Sequence, residues 1–85
     1  RAIYYRAECA FQLKNYSEAV VFLEKIIREP RNPYLDNTII LLAISHWRLD
    51  ERARAGTYFE KYIHLFPEGD YADTARKFLK KVSVE

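Results

Sequence analysis

Apolar residues recur at three- and four-residue spacings along almost the whole chain, and turn-forming residues interrupt them at regular intervals. Ile3, Ala7, Ala10 and Leu13, with Tyr4 and Phe11 beside them, predict a first helix over about residues 2–14. Asn15 ends it and is suited to cap the next helix, because Glu18 stands three residues on, where it can reach back to the cap amide. Ala19, Phe22, Leu23, Ile26 and Ile27 form the stripe of a second helix, which Pro30 closes. Pro33 fits the first turn of a third helix, with Asn32 as its cap, running to about Leu49. Its run from Ile39 to Ile44 is apolar around most of the circumference, so both sides must meet other helices. Asp50 is placed to cap a fourth helix carrying Ala53, Tyr58, Phe59, Tyr62, Ile63 and Phe66, stopped by Pro67. Asp70 and Asp73 open a fifth over about residues 70–82, with Ala75, Phe78, Leu79 and Val82 at i, i+3, i+4 and i+7.

Five helices on short connections fit either a bundle or a solenoid, and internal self-similarity separates the two. Ala7 precedes Ala19 by twelve residues and Leu23 follows four later; Ala43, Ala55 and Phe59 repeat that spacing 36 residues further on. Small residues at these points let the two helices of one unit cross closely.

With these residues the chain resembles the tetratricopeptide repeat. In the second unit Ile39, Leu42, Ala43, His46, Ala55, Phe59 and Pro67 fall at the motif spacings, with Ala43 in place of glycine and His46 in place of an aromatic. In the first, Ile3, Ala7, Ala19 and Leu23 match, while Arg6 replaces the leucine and Ala10 the aromatic. The resemblance implies an all-α, right-handed superhelix. It would be a single domain over 1–85, with repeat one at about 1–32, repeat two at about 33–67 and the terminal helix at about 70–82. The segment Phe66-Pro67-Glu68-Gly69-Asp70-Tyr71-Ala72 further resembles junctions of bacterial envelope repeat proteins, such as those of outer-membrane assembly or the Tol-Pal system, and implies a periplasmic setting.

Composition agrees with helices. Apolar residues make up 49% and charged residues 31% of 85, and two glycines are too few for the turns of a many-stranded sheet. The formal charge of +2 comes from 14 basic and 12 acidic residues dispersed along the chain, so no basic block points to nucleic acid or anionic lipid. The longest apolar run is far short of the roughly 20 residues that cross a bilayer. The first residues already read as helix, and the chain reads as a piece of a longer protein.

Little in the sequence suggests bond chemistry. Cys9 is the single cysteine and, beside Ala7, Ala10 and Leu13, reads as a small core residue. His46 and His64 lie on different helices without a ligand-spaced partner, so they read as packed or surface histidines. Gly56 and Gly69 are isolated and form no phosphate loop, and Glu24 with Arg28 reads as an i, i+4 ion pair. No enzyme, metal or cofactor is expected.

What remains is surface. The resemblance implies that the first helices of successive units line a groove for a protein or peptide partner. It nominates Tyr4, Glu8, Phe11 and Gln12 and, one repeat on, Ile40, Ile44, Trp47 and Arg48. Trp47 has two readings, groove anchor or core residue under the neighbouring helix. The expected function is a non-enzymatic scaffold. The alternatives are a module that stacks on flanking repeats or self-associates, and the docking part of a larger enzyme.

Overall fold

The computed structural model describes residues 2–29 and 31–84. Five helices run through them: α1 (Ala2–Gln12), α2 (Tyr16–Ile27), α3 (Leu35–Arg48), α4 (Arg52–Leu65) and α5 (Ala72–Val84). No strand occurs among the described residues. Each helix packs chiefly on its neighbour in the chain: α1 on α2, α2 on α3, α3 on α4 and α4 on α5. Successive stacking gives an elongated body of 37 × 25 × 18 Å. This is an all-α helical repeat.

The four motif alanines are the reason the pairs close. Ala7 and Ala19 are fully buried in one apolar cluster with Leu23, and Ala43 and Ala55 in a second with Phe59 and Tyr62. A methyl is the largest group that such close crossings accept. The helix α3 joins the two clusters, since Leu42 belongs to the first and Ile39, Ile40 and Ala43 to the second. Its apolar circumference is used on both sides.

The turns within the two pairs are built alike. After α1, the amide of Lys14 donates to Phe11 and that of Asn15 to Ala10; after α3, Asp50 donates to Trp47 and Glu51 to His46. These bond pairs close Schellman motifs, with Lys14 and Asp50 in the left-handed region at φ 64°. Asp50 is therefore the C-terminal residue of the α3 turn and not the cap of α4, a correction to the sequence reading. Glu51 occupies that cap position and makes no side-chain capping bond. Asn15 does cap α2, accepting from the Glu18 amide at 3.4 Å. The Glu18 carboxylate takes the Asn15 side-chain amide at 2.8 Å, because the backbone amide of Asn15 is already committed to Ala10.

Several other expectations are corrected. The helix α3 begins at Leu35, two residues after Pro33, because Asn32 closes a turn onto the Tyr34 amide at 2.8 Å. The Asn32 side-chain amide then donates to Ile26 O and Thr38 Oγ1, tying the end of α2 to the start of α3. Leu13 is 80% exposed, and Ile3, Cys9 and Ala53 are exposed as well. On α1 the inward positions are Tyr4, Ala7 and Ala10, which turns position 9 outward. α5 spans Ala72–Val84 with Asp73 in its first turn. Pro30, expected to close α2, lies outside the described residues.

Candidate groove between the first helices

Helices α1 and α3 are the first members of the two pairs, and each turns one stripe toward a shared groove. Tyr4, Glu8 and Phe11 on α1 stand at i, i+4 and i+7; Asn37, Ile40, Leu41 and Ile44 on α3 stand at i, i+3, i+4 and i+7. Tyr71, from the connection between α4 and α5, closes one end. The groove encloses about 240 Å³ and carries one charged group, the Glu8 carboxylate.

Its floor is rigid. Tyr4 is buried and stacks on Tyr34 at 4.2 Å between ring centroids and 11° between planes. Burial pushes the Tyr4 phenol above its ordinary pKa, opposed by a hydrogen bond with the Asn37 side chain. Ile40 is buried, Phe11 meets Tyr16 edge-on at 5.5 Å, and Tyr71 meets Tyr62 edge-on at 6.1 Å. The Tyr71 amide also donates to the Tyr62 hydroxyl at 3.0 Å, which holds the connection in place.

Of the eight positions nominated from the sequence, Tyr4, Glu8, Phe11, Ile40 and Ile44 come together in this groove. Gln12 and Arg48 are exposed at the last turns of α1 and α3 and do not line it. Trp47 does not line it either. It is half-buried, edge-on to Phe78 of α5 at 5.1 Å, with the Arg52 guanidinium 4.5 Å from its ring centroid. Asn37, Leu41 and Tyr71 were missed. Asn37 and Leu41 continue the heptad-like spacing of Ile40 and Ile44 and were within reach of the pattern; Tyr71 sits in a connection that no periodicity places.

A second polar feature lies where α2, α3 and α4 meet. His46 is 2% exposed and its Nδ1 lies 2.6 Å from Glu51 Oε1, so Nδ1 carries the donated proton. Its ring lies parallel to Tyr58, 5.6 Å between centroids, and the Tyr58 hydroxyl donates to Glu24 Oε2 at 3.0 Å. His46 Nε2 makes no hydrogen bond and stands 3.9 Å from the same carboxylate oxygen. Burial, reinforced by Glu24, pushes the Tyr58 phenol up to about 12. The cluster bridges the two pairs. Among the described residues no group of three or more His, Cys, Asp or Glu side chains could hold a metal ion, and no helix is long and apolar enough to cross a membrane.

Paired helices with buried small residues at their crossings, repeated at a fixed offset, define a helical repeat array. The family model described as tetratricopeptide repeat matches residues 1–31 and again residues 39–69. The chain belongs to the tetratricopeptide repeat family. Such repeats generally mediate protein–protein interaction and are typically non-enzymatic scaffolds. Comparison with the curated proteins and with the solved structures gives no match.

Proposed function

We propose that this chain is a non-enzymatic scaffold that holds a segment of a protein partner in the groove between α1 and α3. The observation that carries the reading is the convergence of Tyr4, Phe11, Ile40, Ile44 and Tyr71 around Glu8 and Asn37. Aromatic and aliphatic walls supply binding energy, and a few polar groups fix orientation. A cleft of about 240 Å³ takes one or two partner side chains, with the rest of the segment lying along the helices. Affinity capture with the full-length protein tests this, followed by titration of the purified partner. Glu8→Lys and Ile44→Glu should each weaken binding at least about tenfold, or about 1.4 kcal/mol, while Thr57→Glu on exposed α4 surface should not. Equal loss in all three, or in none, contradicts the groove.

A setting in the bacterial envelope, in the periplasm or in outer-membrane assembly, is supported by the likeness of the Phe66–Ala72 junction alone. Fractionation of the source cells tests it; recovery of the full-length protein outside the envelope fractions rejects it.

A further inference from the structure

The groove between α1 and α3 holds a charge that the fold leaves unused. Glu8 is half-buried beside apolar walls, and among the described residues its carboxylate makes no hydrogen bond or ion pair. Glu24, also half-buried, accepts from the Tyr58 hydroxyl. No lysine, arginine or histidine lines the groove. Arg6 belongs to a depression on another side of α1, and Arg48 is exposed at the last turn of α3. The amide side chain in the groove, Asn37, already bonds Tyr4. The packing of the repeat does not call for this charge, because 36 residues on the equivalent position is Ile44, which packs against the second cluster. The closed end has the same sign. Asp36 and Asp70 both help to hold up the phenol of Tyr62, whose hydroxyl accepts from the Tyr71 amide.

A segment seated in the groove takes water away from Glu8. A carboxylate that loses its water without gaining a donor is strongly disfavoured, so an apolar or acidic side chain at that point works against binding. A cation supplies both the donor and the opposite charge. The three rings that share the groove, Tyr4, Phe11 and Tyr71, suit the same charge, since aromatic faces attract cations. We propose that the groove selects a segment of a protein partner carrying an arginine or lysine whose charged head meets Glu8. Apolar residues on either side of it would meet Tyr4 and Tyr71 at one end and Phe11 and Ile44 at the other. This inference rests on the reading of the groove as a partner site and adds the charge of what it takes.

The probe is the tightest peptide selected on the intact chain from a random library, and it should carry arginine or lysine between apolar residues. Replacing that cation by glutamine should weaken binding about tenfold, the size of a charge-assisted hydrogen-bonded pair. In Glu8→Gln the same replacement should change affinity by less than about twofold, because the two changes remove one shared interaction. Glu60→Gln alters the net charge equally from the exposed surface of α4 and should keep the full effect. Glu8→Gln conserves size and loses no bond within the chain, so its denaturation midpoint should match the parent's. Selected peptides without a cation, or an equal loss in Glu8→Gln, overturn the proposal. The resonances of Phe11, Ile44 and Tyr71 then show which reading has failed. If they move on binding, the groove takes partners without selecting charge; if they stay, the groove is not the partner site at all.

Discussion

Lys14 and Asp50 stand 36 residues apart and share one backbone conformation, φ 64°, each closing the turn between the helices of its pair. A side chain at that angle brings Cβ close to the following carbonyl, at a cost of roughly 1–2 kcal/mol that glycine avoids. Glycine gives back part of this through its freer unfolded chain. Lys14→Gly and Asp50→Gly should therefore each stabilise the fold by about 0.5 to 1 kcal/mol. Sites so far apart should also add in the double variant. Urea denaturation checks both points, and destabilisation by either change would mean that the turn is not strained.

Crowding tests the close crossings. Ala43→Leu or Ala55→Leu, at fully buried positions, should cost on the order of 1 to 3 kcal/mol by overpacking. Ala53→Leu, two residues before Ala55 but exposed, should be near neutral. A neutral Ala43→Leu in the same denaturation series would remove the alanines from the account of why the pairs close.

The two glycines should respond in opposite directions. A Cβ at Gly69 would lie 2.5 Å from the Tyr62 hydroxyl and 2.9 Å from Phe66 Cβ, so Gly69→Ala must displace the α4–α5 connection. A loss of about 1 to 3 kcal/mol is expected. At Gly56, inside α4, the nearest atom to a new Cβ is Val82 Cγ1 at 3.7 Å, an ordinary contact. Gly56→Ala should gain about 0.5 to 1 kcal/mol from helix propensity. Thermal melts of the two variants should shift to opposite sides of the parent.

Tyrosine ionisation sets the alkaline limit. Tyr58 and Tyr62 are both pushed up to about 12, chiefly by burial, with Glu24 adding to the first and Asp36 to the second. Between pH 10 and 12 the folded chain holds protons that the unfolded chain releases, so this stability is present below pH 10 and is lost as pH rises toward 12. Tyr58→Phe removes one such group and should flatten the loss across that interval. Denaturation at fixed pH values, with tyrosinate absorbance followed in parallel, measures it; an unchanged slope would mean that Tyr58 ionises as freely folded as unfolded.

The number of helices, their pairing and the four buried alanines were legible because each rests on periodicity, which survives averaging over many positions. Single capping residues were less so. Asp50 has the composition of a cap, yet the Schellman bonds of the preceding helix claim the turn first, and Asn32 spends its side chain on the Tyr34 amide. On α1 the pattern contained two apolar stripes. Leu13 belongs with Tyr5 and Cys9 to the exposed one, whereas Ile3 lies on the buried stripe of Tyr4, Ala7 and Ala10 and is exposed only because it stands in the first turn of the helix. The same ambiguity applied to Trp47, whose equivalence to Phe11 is real in sequence but is altered in space by Phe78 arriving from α5.

The most direct test of the central claim, that partners bind between the first helices, is an NMR titration of the chain with a peptide selected on it from a random library. Resonances of Glu8, Phe11, Asn37, Ile44 and Tyr71 should move together. Phe11→Ala should weaken binding by about 2 kcal/mol, whereas Trp47→Ala should instead cost about 2 to 3 kcal/mol of folding stability with little change in affinity. Shifts confined to Arg54, Thr57 and their neighbours on α4, with affinity unchanged in Phe11→Ala, would contradict the account.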